Sequence, residues 1–209
     1  LKSLLPYRAA VKIYLLMGTT LVLSLVVYRL CLLLATLISD KATLSFLTDV
    51  EPYKYAFPYQ FGVILFAFLT TNPISMIFAI LNSIMVGYLF QPNYNLMLFC
   101  FIGGLAGIYG IKYYQKQKRT STLRAGILLV APVNIFLILT FELIRERSSG
   151  LNLFATEAGL GLLGGALGAS LAFLFLPLYE AVFGFITQTK LLELTNSDLP
   201  IFKQMALEA

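Results

Sequence analysis

The sequence predicts an all-α membrane protein: a polytopic bundle of about six transmembrane helices with short loops and a cytoplasmic C-terminal connector. Of its 209 residues, 59% are hydrophobic and 12% are charged, whereas roughly a quarter of the residues in a soluble domain are charged. A chain this apolar cannot cover itself with polar surface, so its solvent is the lipid bilayer. At about 20 residues per span, the chain is long enough for six spans.

Six apolar runs are separated by polar or proline-containing segments. The segment before the second run carries Tyr53, Tyr55 and Tyr59, and we expect these side chains at interface depth. We expect the last membrane helix to stop at Pro177, so that 1–187 form the transmembrane bundle and 188–209 form the connector. The runs lie near 13–38, 57–71, 74–90, 96–111, 125–141 and 155–177.

Asn72-Pro73 separates the second run from the third. As one helix, the two runs would be about 50 Å long, well beyond a hydrocarbon core of roughly 30 Å. Asn72 is a good N-cap, and Pro73 is a good first helical residue because its missing N–H would have no partner there. The pattern therefore favours two short helices, with a single span kinked at the proline as the alternative.

The densest group of basic residues lies between the fourth and fifth runs and contains no acid. Short cytoplasmic loops carry an excess of Lys and Arg, so this loop is predicted to be cytoplasmic. With six spans the basic N-terminal arm and the C-terminal tail fall on the same side, whereas five spans would place the arm outside. The cluster is short and close to the membrane, so we expect no nucleic-acid partner. These topology residues are Lys112, Lys116, Lys118, Arg119 and Arg124.

Catalytic and metal-binding patterns are absent from the sequence. It contains no histidine, which excludes histidine metal ligands, Ser-His-Asp triads and Cys-His dyads. The two cysteines, Cys31 and Cys100, lie inside apolar runs and do not form a CxxC motif. There are no paired carboxylates and no phosphate-binding loop. We therefore assign no catalytic residue, metal ligand or cofactor to this chain.

Glycines at GxxxG spacing occur in two of the apolar runs. Small residues let helix backbones approach closely in lipid, so we interpret these glycines as helix-packing residues inside the bundle. A dimer interface and a backbone face that lines a ligand are the alternatives. The residues are Gly161, Gly164, Gly165 and Gly168 in the sixth run, and Gly103 and Gly107 in the fourth.

A few polar residues lie within the spans. We hypothesise that Arg29 pairs with Glu142 or Glu157 in the outer half of the bundle; the alternative is that each reaches the interface separately. Asn82 and Asn134 are expected to form hydrogen bonds between helices.

The tail after the sixth run is interpreted as a coupling segment. A turn-forming cluster and Pro200 precede a new amphipathic helix that is cut short at Ala209. A free end there would leave an apolar stripe unburied, so we expect an output domain to follow. The coupling residues are Pro177, Glu180, Leu191, Leu192, Glu193 and Leu194.

This tail resembles the junction of the seven-transmembrane HD phosphohydrolases. The matching residues are Leu176-Pro177-Leu178-Tyr179-Glu180, Phe183-Gly184, Thr187, Leu191-Leu192-Glu193-Leu194-Thr195-Asn196, Pro200 and Leu207-Glu208-Ala209.

The resemblance implies a bacterial receptor-like protein of the cytoplasmic (inner) membrane, with both ends of this chain in the cytoplasm. It implies an extracellular sensor region, a membrane helix before Leu1, and a linked HD domain that hydrolyses cyclic di-AMP with a metal pair. The expected partners of this chain are the lipid bilayer and these covalently linked regions, with a second copy in a homodimer as a further candidate.

We therefore interpret the chain as the membrane-anchoring and signal-transmitting domain of such a receptor. The alternative is a substrate-binding membrane subunit of a vitamin or metal importer, which the connector after Glu180 argues against. A third interpretation keeps the family but limits the bundle to tethering the enzyme.

Overall fold

A computed structural model shows a bundle of helices. It describes residues 4–39, 52–89, 93–114, 123–124, 126–144 and 151–184, and within these ranges there is no strand. A 3₁₀ helix (Pro52–Ala56) precedes α2, and a π-helical turn (Gly126–Val130) leads directly into α5. The predicted all-α membrane bundle is confirmed. Its helices are α1 (Leu4–Ser39), α2 (Phe61–Leu69), α3 (Asn72–Leu89), α4 (Tyr94–Tyr114), α5 (Ala131–Ile144) and α6 (Leu151–Phe183).

Five helical stretches of the described chain are long and apolar enough to cross a membrane. Each has at least 18 residues, and 18 residues of α-helix extend about 27 Å. They correspond to five of the six predicted spans. The stretches are Val11–Ser39, Asn72–Leu89, Tyr94–Tyr114, Gly126–Ile144 and Phe154–Phe183.

The second predicted span, near 57–71, is wrong as a single transmembrane helix. The helix in this region, α2, has 9 residues and is therefore about 14 Å long, half of a bilayer core. The chain instead passes through the bundle as the 3₁₀ helix, a non-helical stretch at 57–60 and then α2. We call residues 52–69 the broken crossing.

The second and third runs form two separate helices, as predicted, but Asn72 rather than Pro73 is the first helical residue of the second helix. α2 ends at Leu69 and α3 begins at Asn72, so the alternative of one kinked span is wrong. The Thr70 hydroxyl bonds the Ser75 hydroxyl across the turn at 2.9 Å. Phe66 of α2 stacks on Phe78 of α3 with ring centroids 4.5 Å apart, which shows that the two helices fold back on each other.

Consecutive passages of the chain through the bundle run in opposite directions. Along each neighbouring pair of passages, the contacting residues rise in number in the first passage as they fall in number in the second. The chain thus makes six alternating passages, and the two ends of the described chain lie on one side of the bundle. The contacting pairs are Ser24–Gly62, Tyr28–Tyr59, Phe66–Phe78, Tyr59–Asn82, Asn82–Cys100, Gly87–Met97, Gly103–Asn134, Gly107–Val130, Asn134–Gly161 and Gly126–Ala169.

The broken crossing occupies the centre of the bundle. Eight of the nine residues of α2 are buried, and the helix is apolar on every side, as expected for a helix enclosed by others. α2 packs against α1, α3, α4 and α6, and the 3₁₀ helix packs against α6. The non-helical stretch at 57–60 is therefore enclosed by protein, the setting in which irregular backbone is tolerated at membrane depth.

The sixth helix is longer than predicted. α6 has 33 residues and continues through Pro177 to Phe183, so the expectation that the helix stops at Pro177 is wrong. Proline is tolerated inside membrane helices because neighbouring groups satisfy the backbone. Gly184 follows with a φ of 58°, the left-handed conformation that commonly terminates helices and that glycine adopts without steric cost.

Candidate functional site

The break in the second crossing exposes backbone groups that must find partners inside the bundle. Each unsatisfied backbone group in a water-free interior costs several kcal/mol. Two of these groups are satisfied locally: the Tyr59 N–H donates to the Phe57 carbonyl at 2.8 Å, and the Phe61 N–H donates to the Pro58 carbonyl at 3.0 Å. The carbonyl of Tyr59 accepts hydrogen bonds from side chains.

Side chains from two other helices meet the Tyr59 carbonyl. The Tyr28 hydroxyl of α1 donates to it at 2.8 Å, and the Asn82 Nδ2 of α3 donates to it at 3.1 Å. The Tyr28 hydroxyl also lies 3.2 Å from Asn82 Oδ1, and Asn82 Nδ2 lies 3.3 Å from the Sγ of Cys100 in α4. Because these groups are buried, they tie the break to three helices.

A second set of polar contacts joins the break to α5 and α6. Gln60 Nε2 donates to Asn134 Oδ1 at 3.1 Å, and Asn134 Nδ2 donates to the carbonyl of Gly161 at 3.1 Å. We call Gln60, Asn134 and the Gly161 carbonyl the amide chain. Gln60 and Asn134 are fully buried.

The orientation of the side-chain amides in the amide chain follows from the Gly161 carbonyl. A backbone carbonyl only accepts, so Asn134 must present its amide nitrogen to Gly161 and its oxygen to Gln60. Gln60 must then present its own nitrogen, which leaves Gln60 Oε1 buried without a hydrogen-bond partner among the described residues.

The prediction that Asn82 and Asn134 form hydrogen bonds between helices is confirmed by these contacts. Gln60 was not predicted as a site residue, because a lone glutamine at the start of an apolar run carries no motif. The expectation that Tyr59 lies at the interface is wrong: its side chain is fully buried and its carbonyl bonds Asn82 in the middle of α3.

Four glycines form one buried face of α6, which we call the glycine face. A Cβ on Gly164 would lie 2.5 Å from the carbonyl oxygen of Tyr55. A Cβ on Gly165 would lie 3.1 Å from the Cα of Ala131, and one on Gly168 would lie 3.4 Å from the Phe61 nitrogen. Backbone therefore approaches backbone closely at Gly164 and Gly165, where a Cβ has too little room, whereas Gly161 faces the side chain of Ile138. The glycines are Gly161, Gly164, Gly165 and Gly168.

The two glycines of α4 at GxxxG spacing, Gly103 and Gly107, are buried beside the same break. A Cβ on Gly103 would overlap the amide of Gln60, and one on Gly107 would lie 2.9 Å from Ile64. α4 thus leaves room for the Gln60 side chain in the amide chain.

The predicted ionisable residues lie in different surroundings. Arg29 is exposed on α1, Glu142 is partly buried at the end of α5, and Glu157 of α6 is 5% exposed. An exposed guanidinium is consistent with an arginine that reaches the interface by itself. The pairing of Arg29 with either glutamate stays a prediction.

The end of the bundle that carries both described chain ends contains the start of the predicted coupling segment. Pro177 is exposed, Glu180 is partly buried, and the Lys12 Nζ lies 3.9 Å from where a Cβ on Gly184 would be. The lysine of α1 therefore lies beside the last turn of α6, where helix carbonyls favour a cation. The other coupling residues, Leu191, Leu192, Glu193 and Leu194, lie outside the described residues.

The basic cluster is described in part. Lys112 and Arg124 are exposed, on either side of the loop between α4 and α5. Lys116, Lys118 and Arg119 lie outside the described residues. Alternating passages place this loop on the same side as the ends of the described chain, as predicted from charge.

Comparison with known families decides between the receptor domain and the importer subunit as interpretations of the sequence. A family model described as "7TM receptor with intracellular HD hydrolase" matches residues 6–187. The chain belongs to this family. The predicted family is confirmed, and the importer alternative gives way to the receptor family.

The chain is also similar to a characterised bacterial enzyme. The cyclic-di-AMP phosphodiesterase PgpH of Bacillus subtilis (strain 168) is 24% identical over 192 residues, which cover 88% of this chain and 26% of PgpH. The chain thus spans about a quarter of the length of this relative. No solved structure matches the chain.

Proposed function

We propose that this chain is the membrane-anchoring and signal-transmitting part of a receptor whose HD domain hydrolyses cyclic di-AMP. The match to the receptor family over 6–187 carries the proposal, and the similarity to the cyclic-di-AMP phosphodiesterase PgpH supports the choice of cyclic di-AMP. The chemistry, including any metal pair, belongs to residues beyond this chain, which has no histidine.

The structure supports signal transmission through α6. This helix carries Gly161 in the bundle interior and extends without interruption to Phe183 beside α1. A continuous helix passes displacement from one end to the other, so a change at the break would reach the chain that follows Gly184. The bundle would act in the cytoplasmic membrane of a bacterium, with both ends of the chain in the cytoplasm.

The substrate is tested with the full-length protein in lipid nanodiscs. We expect the HD domain to release linear pApA or AMP from cyclic di-AMP, and expect a variant without the HD histidines to be inactive. Failure to cleave cyclic di-AMP by a folded, metal-loaded protein would overturn the proposed activity.

Transmission is separated from tethering by a domain exchange. We replace the bundle with an unrelated helix pair of the same topology, which keeps the HD domain at the membrane. A receptor predicts that this exchange changes the hydrolysis rate, whereas equal rates from exchanged and native proteins would leave only a tether.

A further inference from the structure

An open apolar groove separates α1 from α6 at the end of the bundle that carries both described chain ends. Its volume is about 630 Å³, and it is lined by residues of these two helices, among them Leu15, Gly18 and Val22 of α1 and Phe175 and Leu178 of α6. α1 and α6 each pack on α2, whereas Leu15, Val22 and Leu178 are exposed. Within the part of the chain that the structure describes, the groove therefore faces the bilayer.

Gly18 keeps the groove open. No atom of the described residues lies within 4 Å of a Cβ at this position. The neighbouring Thr19 hydroxyl donates to the Leu16 carbonyl of its own helix at 3.0 Å, so its donor is already used. The hydrocarbon region contains no water to fill such a space, and an empty space forfeits dispersion contacts with its lining. An apolar group should therefore occupy the groove.

The length of the groove matches one leaflet of a bilayer. Its α1 residues run from Tyr14 to Val26, which is about 18 Å along the helix axis. They extend from one end of the membrane stretch Val11–Ser39 to about its middle, and half of a hydrocarbon core of roughly 30 Å is about 15 Å. An acyl chain of one leaflet fits this length, whereas a transmembrane helix would contact α1 across both leaflets.

A cation lies at the outer rim of the groove, where the bundle ends. The Lys12 Nζ lies 3.9 Å from where a Cβ on Gly184 would be, and Tyr14 beside it is 69% exposed, as is typical of tyrosine at the level of the lipid headgroups. A lysine ammonium binds phosphate as a point charge. Glu180 of α6 lies at the same end and repels further negative charge, so a phosphodiester with a single charge suits this position.

We propose that the groove is a binding site for a phospholipid of the leaflet at this end of the bundle. One acyl chain lies between α1 and α6 over Gly18, and the phosphodiester meets Lys12. The name of the leaflet, cytoplasmic, rests on the orientation in the proposed function. The binding itself does not, because it needs only the groove and the lysine.

Binding is measured on the full-length protein in nanodiscs that contain a small fraction of phosphatidylglycerol with a photoactivatable diazirine on one acyl chain. After illumination, peptide mass spectrometry locates the attached lipid. Every exposed apolar side chain meets lipid, so the reference is Leu33 of α1, which is about as exposed as Leu15 but lies outside the groove. Labelling should be higher at the groove residues than at Leu33.

Gly18→Leu places a side chain in the groove and should remove this excess labelling. Gly159→Leu is the matched control. No atom of the described residues lies within 4 Å of a Cβ on Gly159 either, but Gly159 does not line the groove. Groove labelling in this variant should stay that of the parent.

Lys12→Gln tests the phosphate contact. It should lower groove labelling by the phospholipid about 1.5- to 5-fold, the range of an accessible ion pair. A photoactivatable diacylglycerol with the same acyl chains but no phosphate should label the native groove less than the phospholipid does, and Lys12→Gln should remove that difference. Lys112→Gln, at an exposed lysine of α4, should leave the difference unchanged.

Groove labelling no higher than at Leu33 would overturn the inference, as would labelling that a folded Gly18→Leu protein retains. Where Gly18→Leu fails to fold, equal labelling of the native groove by the phospholipid and the diacylglycerol overturns the inference instead.

A protein occupant is detected with Val22→Cys, a groove position, in a background without other cysteines. A disulfide between two copies would show that the groove is a dimer interface. Protection of this cysteine from a lipid-soluble maleimide, without lipid labelling, would show that another part of the full-length chain covers the groove. Either result excludes the phospholipid.

Discussion

Among the glycines of α6, Gly164 is the one at which a Cβ would come closest to the broken crossing. A Cβ there would lie 2.5 Å from the Tyr55 oxygen and 3.1 Å from the Phe57 oxygen, and these backbone atoms cannot turn aside as a side chain could. Gly164→Ala should therefore lower the free energy of unfolding by about 1–3 kcal/mol, the usual cost of overpacking. Unfolding of the purified protein in mixed micelles measures the change.

Gly159 is the matched control on the same helix. No atom of the described residues lies within 4 Å of a Cβ at this position, so Gly159→Ala should leave stability unchanged or raise it by up to about 1 kcal/mol through helix propensity. Equal stabilities for the two alanine variants would contradict the close approach of α6 at Gly164.

Tyr28 and Asn82 both donate to one acceptor, the Tyr59 carbonyl. Tyr28→Phe and Asn82→Leu should each cost little, about 0.6–1.7 kcal/mol, because the other donor remains. The double variant leaves the carbonyl without either donor and should cost more than the sum of the single changes. A double-mutant cycle measures this coupling, and strict additivity would show that the carbonyl finds another donor.

The role of an individual residue could be predicted from the sequence where a single chemical rule determines that role. A buried asparagine in a membrane span must bond something, so the contacts of Asn82 and Asn134 could be expected from the sequence. Their partners could not, because Tyr59 and Gln60 lie in a break that composition does not reveal. Glycine spacing likewise indicates close packing, but only the fold shows that Gly164 faces backbone and Gly159 faces open space.

The C-terminal end of α6 depends on one backbone conformation. Gly184 has a φ of 58°, where an L-residue with a Cβ is strained. Gly184→Ala should cost about 1 kcal/mol and loosen the last turn of the helix. Amide hydrogen exchange of residues 180–183 should become faster, while exchange at the start of α6 stays the same.

Gly184→Asn is the control for this change, because asparagine adopts the left-handed conformation more readily than alanine. Its exchange rates should lie between those of the native protein and Gly184→Ala. An alanine variant indistinguishable from the native protein would mean that α6 does not end at Gly184 in solution.

The observed helices agree with the sequence prediction where hydropathy alone determines their bounds, and they differ from it where packing determines them. The runs near 74–90 and 96–111 are helices with nearby bounds, because long apolar segments in lipid must be helical. The run near 57–71 begins with Pro58, which disfavours helix at the residue before it, and its first residues also contact Tyr28, Asn82 and Asn134 of three other helices. No local pattern reports such contacts, and Pro177 likewise does not end α6.

The topology of the whole bundle follows from the alternating direction of its passages and from the position of its basic residues. Six passages place both ends of the described chain on one side, and the basic loop between α4 and α5 lies on that side as well. Predicting this needed no contact, since the count of apolar runs and the position of the basic residues were enough. Which side is the cytoplasm is a separate question, and the positive-inside rule answers it only as a prediction.

The two ends of α4 test that orientation directly. Tyr94 and Tyr113 lie at opposite ends of this helix and are 79% and 77% exposed, so a cysteine at either position is accessible without disturbing the core. In a background with Cys31 and Cys100 replaced by alanine, Tyr94→Cys should react with a membrane-impermeant maleimide on intact cells. Tyr113→Cys, beside Lys112, should react only after the membrane is opened. The reverse pattern would place the basic loop outside, and with it the segment after Gly184, where a cytoplasmic HD domain could not follow.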